Sequence, residues 1–296
     1  DVYKRQTFWK DAIGRLMKNK VAVVCFFIIV LLILSCIIVP FFSPFESREQ
    51  HLGEVNKGFM TVCTDSRYEG QHHVHYFGTD NLGRDLFLRA FEGGRVSLMI
   101  AFAAVFVNLI VGLIYGGISG YIGGAVDTIM MRIVEIVNGI PYLIVVILLM
   151  MVLPKGIFTM VVAYGITGWT GMARLVRGQV LQLKSQEYIV AAEAMGAKSS
   201  RIIAKHLIPN ALSVIIINVT LAIPSAIFTE AFLSYIGLGV PVPQPSWGVL
   251  AKGGQDVFMT YPYQLVVPAV AISLTMLSFN LLGDGLRDAF DPRLRR

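Results

Sequence analysis

The chain of 296 residues is 55% hydrophobic and only 15% charged, with a mean hydropathy of +0.66. A soluble domain usually carries about a quarter charged residues, so this composition excludes an ordinary soluble protein and indicates a polytopic helical membrane protein. The net charge of +6 does not indicate nucleic-acid binding, because the distribution of the basic residues along the chain accounts for it.

A basic N-terminal segment and a first transmembrane helix are predicted within residues 1–45. The first twenty residues are basic and amphipathic, and residues 21–45 contain no charged side chain. This run exceeds the roughly 20 apolar residues that cross a bilayer, so a helix ending near Pro40 is expected to span it. Cys25 and Cys36 lie in this run without CxxC spacing, which favours small apolar packing residues over a metal or redox pair.

A polar insert at residues 46–94 contains the run FGTDNLGRDLFLRAFEGGRVSL. Its glycines suit tight turns, and Thr79 or Asp80 suits the cap of a turn. The apolar residues after Asp85 recur at helical spacing and predict an interfacial helix that lies on the membrane before the next span. Capping and internal ion pairing explain the polar side chains better than catalysis does. The candidate signature residues are Gly78, Thr79, Asp80, Gly83, Arg84 and Asp85.

Three histidines, His72, His73 and His75, lie close together in the same insert. Clustered histidines bind transition metals in some proteins. No second group of acids or cysteines in the sequence completes a site, so the prediction is a solvated loop without a metal.

Five further uncharged intervals predict helices two to six within a core of residues 95–286, and six spans place both termini on one side of the membrane. Gly112, Gly116 and Gly120 repeat every four residues in the second helix, which favours close helix packing. The glycine-rich run around them lacks the Gly-Lys-Ser/Thr ending of a phosphate loop. The intervals are 95–127, 135–155, 155–174, 206–230 and 256–284.

Two prolines and two acids fall within or beside these spans. Pro141 and Pro224 lie inside predicted spans three and five, where a bent helix is either a gate or a static kink. Glu135 and Glu230 lie at span ends, and we expect both in the headgroup region rather than in a functional site.

The basic residues indicate which side of the membrane each connection faces. Seventeen of the 25 Lys and Arg residues fall on the side of the termini, and eight fall on the other side. The positive-inside rule places the first set in the cytoplasm, together with residues 184–210 and a polar tail at 287–296. The insert at 46–94 is then extracytoplasmic.

The loop at residues 184–210 is charged, alanine-rich and flanked by apolar spans. It predicts two short helices joined at Gly196, because glycine adopts a positive φ without strain. On the first helix, one apolar face is expected, formed by Tyr188, Ile189, Ala192 and Met195.

The second helix of this loop is predicted to begin after a capping residue and to end at a proline. Ser199 is placed to cap it, Lys198 and Lys205 share one face with Arg201, and Pro209 is expected to end it. An amphipathic loop lying on the lipid headgroups is an alternative that the pattern leaves open.

Residues 186–210 resemble the cytoplasmic EAA loop of ABC-importer permease subunits, where Glu-Ala-Ala, a glycine and a later Ile-x-Leu-Pro recur at fixed spacing. Val190 replaces the usual glutamate and His206 the usual isoleucine, departures that are typical of the peptide-importer branch. In that family the loop docks into a groove of a separate ATPase subunit. The residues that the resemblance assigns to ATPase coupling are Glu187, Tyr188, Ala191, Ala192, Gly196, Ala197, His206 and Pro209.

The GTDNLGRD run resembles the signature of C-type permeases for dipeptides, oligopeptides and nickel. These resemblances imply an all-α type I ABC importer permease with six transmembrane helices, in the bacterial plasma (inner) membrane, with no catalytic residue and no cofactor. The implied partners are a homologous B-type permease subunit, two ABC ATPase subunits, an extracytoplasmic peptide-binding protein and the lipid bilayer, but no nucleic acid.

Two alternatives belong beside an oligopeptide importer. One is a permease of the same family for dipeptides or nickel. The other is a self-contained secondary transporter, which needs ionisable groups near the bilayer midplane that the span centres lack. In the favoured hypothesis, closure of the ATPase pair moves the segment Glu187–Leu207 of this loop as a rigid lever.

Overall fold

The computed structural model describes residues 2–64 and 73–290, and helices make up most of them. A 3-10 turn, Leu52–Glu54, and two strands, β1 (Thr61–Val62) and β2 (Val74–His75), lie in the insert. A single π turn, Ile203–Leu207, precedes α10. The helices are α1 (Val2–Lys18), α2 (Lys20–Phe42), α3 (Leu86–Ile122), α4 (Gly124–Gly139), α5 (Tyr142–Val152), α6 (Ile157–Thr167), α7 (Trp169–Lys184), α8 (Glu187–Ala194), α9 (Ser199–Ile202), α10 (Ile208–Tyr235), α11 (Trp247–Asp256) and α12 (Tyr263–Phe290).

The first predicted span is the single helix α2, which continues through Pro40 to Phe42. Asn19 separates it from α1, and its side chain accepts a hydrogen bond from the Ala22 amide at 3.1 Å. Such a cap satisfies one of the free amides at a helix start. Cys25 and Cys36 are buried free thiols, as expected for packing residues.

The predicted interfacial helix before the second span is wrong. The apolar stripe after Asp85 forms the first turns of α3, which runs without a break for 37 residues. Asp85 caps this helix by accepting a hydrogen bond from the Leu88 amide at 2.7 Å. The insert is also not purely irregular, because β1 and β2 pair antiparallel, with Thr61 opposite His75.

Four helices among the described residues are long and apolar enough to cross a membrane: α2, α3, the helix comprising the π turn and α10, and α12. The α4–α5 pair is apolar enough to be a fifth, but it is bent by 79°. The break falls at Pro141, which has no amide hydrogen with which to continue the α4 hydrogen bonds. Predicted span four is also divided, at Gly168 between α6 and α7. Six crossings therefore stay a prediction.

The glycine repeat of α3 packs against α7, as predicted. A Cβ at Gly112 would lie 2.5 Å from the Met172 Cβ, and one at Gly116 would collide with the Ala173 carbonyl oxygen. A Cβ at Gly120 would lie 2.9 Å from the carbonyl oxygen of Arg177. Only glycine lets the two helix backbones approach this closely.

Trp247, at the start of α11, is inserted against α3 and is 1% exposed. Its Nε1–H donates to the Ala90 carbonyl at 2.9 Å, and its amide donates to Ser97 Oγ at 3.1 Å. Buried Trp usually finds such a partner for its N–H. These bonds tie the chain after α10 back to the start of α3.

The expectation that both span-end acids lie in the headgroup region is wrong for Glu230. Its side chain is 2% exposed, and Oε1 accepts a hydrogen bond from Ser234 Oγ at 2.8 Å. Glu135 is exposed and pairs with Arg132, which donates to its Oε2 at 2.6 Å. Burial of a carboxyl is tolerated where neighbouring groups supply hydrogen bonds, as Ser234 does here.

Candidate functional site

The first half of the loop at 184–210 is helix α8 followed by a glycine stop. Gly196 has φ +77°. The Ala197 amide donates to the Ala192 carbonyl at 3.1 Å, and the Met195 amide donates to Ala191 at 3.1 Å. This is the hydrogen-bond pattern of a helix C-terminus closed by a left-handed residue, so the predicted stop is confirmed.

The predicted apolar face of α8 is only half right. Ile189 is fully buried and Ala192 is 6% exposed, whereas Tyr188 and Met195 are 43% and 81% exposed. Ile189 belongs to a buried cluster on α7, α9 and α10, so α8 is seated on the helix bundle by a narrow contact. A helix of eight residues buries only a narrow stripe, and the side chains of Tyr188 and Val190 are exposed.

The second half of the loop begins one residue earlier than predicted. The Lys198 carbonyl accepts hydrogen bonds from the Arg201 and Ile202 amides, so Lys198, not Ser199, stands before the first helical residue. The predicted basic face is confirmed, because Lys198, Arg201 and Lys205 are all exposed while Leu207 is buried.

Pro209 does not end the helix, which corrects the sequence prediction. It lies in the first turn of α10, where the missing amide is tolerated. The π turn before it closes with the Ile208 amide donating to the Ile203 carbonyl, five residues back. The loop therefore continues into the long α10 helix without an interruption.

One side-chain bridge joins the two halves of the loop. Asn210 Nδ2 donates to the His206 carbonyl at 2.6 Å and to the Tyr188 hydroxyl at 3.3 Å. Two matched residues of the predicted coupling set, Tyr188 and His206, are thus brought together. Glu187, Val190 and Ala191 of α8 are also exposed.

An ion pair at the base of the loop was not predicted. Arg177 on α7 donates from Nε and Nη2 to the two carboxylate oxygens of Asp127 on α4, both at 2.5 Å. Lys184 Nζ donates to the Tyr121 carbonyl at 2.6 Å. Paired Arg–carboxylate bonds fix orientation as well as distance, so they hold α7 against α4. No sequence spacing links residues 50 positions apart.

The two glycines of the outer signature make the turns predicted for them. Gly78 has φ +76° and Gly83 has φ +72°. A Cβ at Gly83 would collide with the backbone of His51, and one at Gly78 with that of Lys57. Both positions therefore need glycine for conformation and for space.

The polar signature residues cap and pair within the protein, as predicted. Asp80 accepts from the Arg84 amide at 3.0 Å through Oδ1 and from Arg84 Nε at 2.7 Å through Oδ2. Thr79 Oγ1 accepts from the Lys57 amide at 2.8 Å. Arg89 Nη1 donates to the Ser47 carbonyl at 2.8 Å. Together they clamp the start of α3 to the insert.

The prediction of a solvated histidine loop is wrong for His75, which is fully buried. Its Nδ1 donates to Asp85 Oδ2 at 2.7 Å and its Nε2 donates to Glu54 Oε2 at 2.9 Å. Burial opposes a charged imidazole, but the hydrogen bonds to Asp85 and Glu54 outweigh it and raise the pKa of His75. His73 is partly buried, and His72 lies outside the described residues.

Acids and a cysteine do adjoin the histidines, contrary to the sequence prediction. Burial alone would raise the pKa of Glu54, but hydrogen bonds from Thr64 and His75 lower it instead. Cys63 belongs to the same group of buried side chains. These contacts link residues far apart in sequence, which is why a local search for a motif missed them.

A cavity of about 510 Å³ lies beside the signature, between the start of α3 and the segments around α11. Its lining includes Arg84, Arg89, Lys155, Lys252 and Asp80. The predicted kink residues lie elsewhere. Pro141 caps α5 at the 79° break, and Pro224 is buried inside α10.

Two family models match the chain. The model described as "Binding-protein-dependent transport system inner membrane component" matches residues 108–296, and "N-terminal TM domain of oligopeptide transport permease C" matches residues 7–58. The oligopeptide transport system permease protein OppC of Bacillus subtilis is 50% identical, covering 99% of this chain and 92% of the relative.

Other relatives and a solved structure agree with this match. The dipeptide transport system permease protein DppC of Bacillus subtilis is 48% identical, covering 98% of this chain and 87% of the relative. OppC of Escherichia coli is 43% identical, covering 98% of this chain and 93% of the relative. A chain of the inward-facing MetNI methionine ABC transporter has a TM-score of 0.54 at 22% identity. The match covers 69% of this chain and 97% of that chain, which indicates a shared fold.

Proposed function

The chain belongs to the family of binding-protein-dependent transport system inner membrane components, and we propose that it is the permease subunit of an ATP-driven oligopeptide importer. It is a non-catalytic subunit, and the ATPase is a separate chain. The observation that carries the proposal is 50% identity to an oligopeptide permease over 99% of the chain. Dipeptide import is the second candidate, because a relative named for dipeptides is 48% identical.

In the proposed topology, six crossings are formed by α2, α3, the α4–α5 pair, the α6–α7 pair, α10 and α12. The domains are a cytoplasmic segment and first helix at 1–45, an extracytoplasmic insert at 46–94, a permease core at 95–286 and a cytoplasmic tail at 287–296. Both termini lie in the cytoplasm of a bacterial cell, since the positive-inside rule favours that orientation of a protein in the inner membrane.

The loop at 184–210 is the proposed contact with the ATPase. Its exposed surface combines apolar side chains, Val190 and Met195, with the basic residues of α9 and the π turn. Apolar residues exposed at the end of a short helix suit insertion into a groove of a partner. The proposed partners are two ABC ATPase subunits, a homologous B-type permease and an extracytoplasmic peptide-binding protein.

The proposed mechanism is mechanical. The loop is held to α7 through the Ile189 cluster and continues directly into α10, so its movement is passed to both helices. The break at Pro141 and the proline within α10 are the proposed places where the bundle bends. The cavity beside Arg84 and Arg89, lined by four basic and two acidic side chains, is proposed to form the outer entrance, where the net positive charge attracts the carboxylate of a peptide.

Peptide uptake tests the lever. Ala192 is 6% exposed against the bundle, so Ala192→Trp is expected to displace α8 and abolish uptake of a labelled tetrapeptide. The variant should still insert in the membrane, as judged by its amount in the membrane fraction. Gly178→Ala, on α7 with open space around it, is the control and should transport normally. Normal uptake by the Ala192 variant would overturn the lever.

The same assay separates the two substrates. Competition of the labelled tetrapeptide by unlabelled dipeptides and tetrapeptides is measured in cells that carry the whole importer. Stronger competition by tetrapeptides supports the oligopeptide proposal, and stronger competition by dipeptides overturns it in favour of the second candidate.

A further inference from the structure

Three buried side chains with metal-binding atoms converge in the insert between α2 and α3. One ligand atom each of His51, Glu54 and Cys63 lies within 4.8 Å of the other two. The three residues are 1%, 2% and 7% exposed. Nitrogen, carboxylate oxygen and thiolate are the donor set that Zn²⁺ accepts in proteins.

The backbone fixes all three residues independently of any ligand. The Glu54 amide donates to the His51 carbonyl at 2.8 Å, which closes the turn carrying both side chains. The Cys63 amide donates to the His73 carbonyl at 2.8 Å, which pairs the end of β1 with the start of β2. The close approach of Gly83 to the backbone of His51 fixes the turn from the other side.

We propose that His51, Glu54 and Cys63 bind a Zn²⁺-like transition-metal ion that holds this insert together. Charge balance supports the ion, because the Cys63 thiolate and the Glu54 carboxylate neutralise its two positive charges in a buried place. The thiol proton of Cys63 passes to solvent when the metal binds. The fourth ligand is a water molecule, and His75 holds Glu54 in place through the Nε2–H that it donates to Oε2 at 2.9 Å.

His75 adds a second feature of metal centres. Its Nδ1 is held by Asp85 Oδ2 at 2.7 Å, so a carboxylate fixes the ring with Nε2 directed at Glu54. Carboxylate–histidine pairs commonly orient the groups around a bound zinc ion. The pair therefore supports the metal through Glu54, whose carboxylate it orients.

The small core of the insert gives the ion a structural purpose. In the described residues, the apolar cluster of this region comprises only Phe45, Cys63 and Leu88. Small folded segments with little apolar burial commonly depend on a metal or a disulfide. A zinc ion would join the 3-10 turn to β1 across the insert.

Metal content of the full chain tests the site. The chain is purified with its partner subunits in detergent, treated with a chelator, and titrated with Zn²⁺ or with Co²⁺ alone. We expect one Zn²⁺ per chain and, with Co²⁺, a cobalt–thiolate charge-transfer band. Cys63→Ser should remove the band, and Cys63→Ser and Glu54→Gln should each bind Zn²⁺ at least about tenfold more weakly.

The control is Cys25→Ser, which replaces a buried cysteine in the membrane helix α2 and should leave the band and the zinc content unchanged. His51→Gln provides a further test if Cys63→Ser does not accumulate. Equal zinc binding by the wild type and these ligand variants would overturn the proposal, as would a wild-type cobalt spectrum without the thiolate band. Transport is not the readout, so this result is independent of the proposed peptide substrate.

Discussion

Gly196 is the position where the loop can be perturbed with the fewest side effects. Its φ is +77°, and a Cβ built there meets nothing within 4 Å. Gly196→Ala therefore adds no clash and changes only the backbone preference, by about 1–2 kcal/mol for a non-glycine residue in the left-handed region. Gly196→Asn should cost less, because Asn tolerates this conformation.

Hydrogen exchange of the purified chain measures this cost. A loss of about 1–2 kcal/mol corresponds to about 5–30-fold more opening, so the amides of Met195 and Ala197 should exchange faster by that factor. Both amides make the hydrogen bonds that close α8. Gly178→Ala also fills open space, but at a helical position, and should leave exchange unchanged or slow it slightly.

Two results would refute the reasoning about Gly196. If Gly196→Ala and Gly178→Ala exchanged alike, the left-handed glycine would not determine the stability of the α8 end. If Gly196→Asn were as damaging as Gly196→Ala, the cost would come from something other than backbone conformation.

Three further predictions concern helix packing. Gly116→Leu should lower the free energy of unfolding by about 1–3 kcal/mol, because the new side chain would collide with the α7 backbone. Gly171→Leu, at a position with open space, should leave it nearly unchanged. Thermal melts in detergent compare the two variants. Trp247→Phe removes the hydrogen bond to the α3 carbonyl and should cost about 1–3 kcal/mol in the same melts, and an unchanged midpoint would contradict it. Asp127→Arg should reduce the yield of folded protein, and adding Arg177→Asp should restore part of it. No recovery in the double variant would contradict a stabilising ion pair between Asp127 and Arg177.

Hydropathy was enough to locate the long helices but not the breaks. The uncharged runs predicted α2, α3, α10 and α12, because apolar length alone determines whether a helix can cross lipid. Pro141 itself predicted the bend between α4 and α5, whereas nothing in these runs predicted the division at Gly168. Both breaks lie within apolar stretches, where the mean hydropathy stays high whatever the backbone geometry.

Local chemistry predicted the turns and missed the contacts. Gly78, Gly83 and Gly196 all have positive φ as expected, since that preference belongs to glycine itself. The burial of His75 was missed because its partner Glu54 lies 21 residues away in the sequence. The burial of Glu230 was missed because it depends on how α10 packs against other helices, which the local sequence does not show. The prediction of a helix stop at Pro209 is wrong because the preceding residues form a π turn, which the local sequence pattern does not indicate.

That π turn at 203–207 contains one residue more than an α turn would need. A π turn winds this extra residue into one wider turn, so the side chains before and after it keep nearly the orientation they would have in a continuous α-helix. Deleting one residue here is therefore expected to leave a regular α-helix, with α8 and α9 little rotated about the axis of α10. The junction between α9 and α10 thus tolerates one residue more than an α turn needs without a break in the helix.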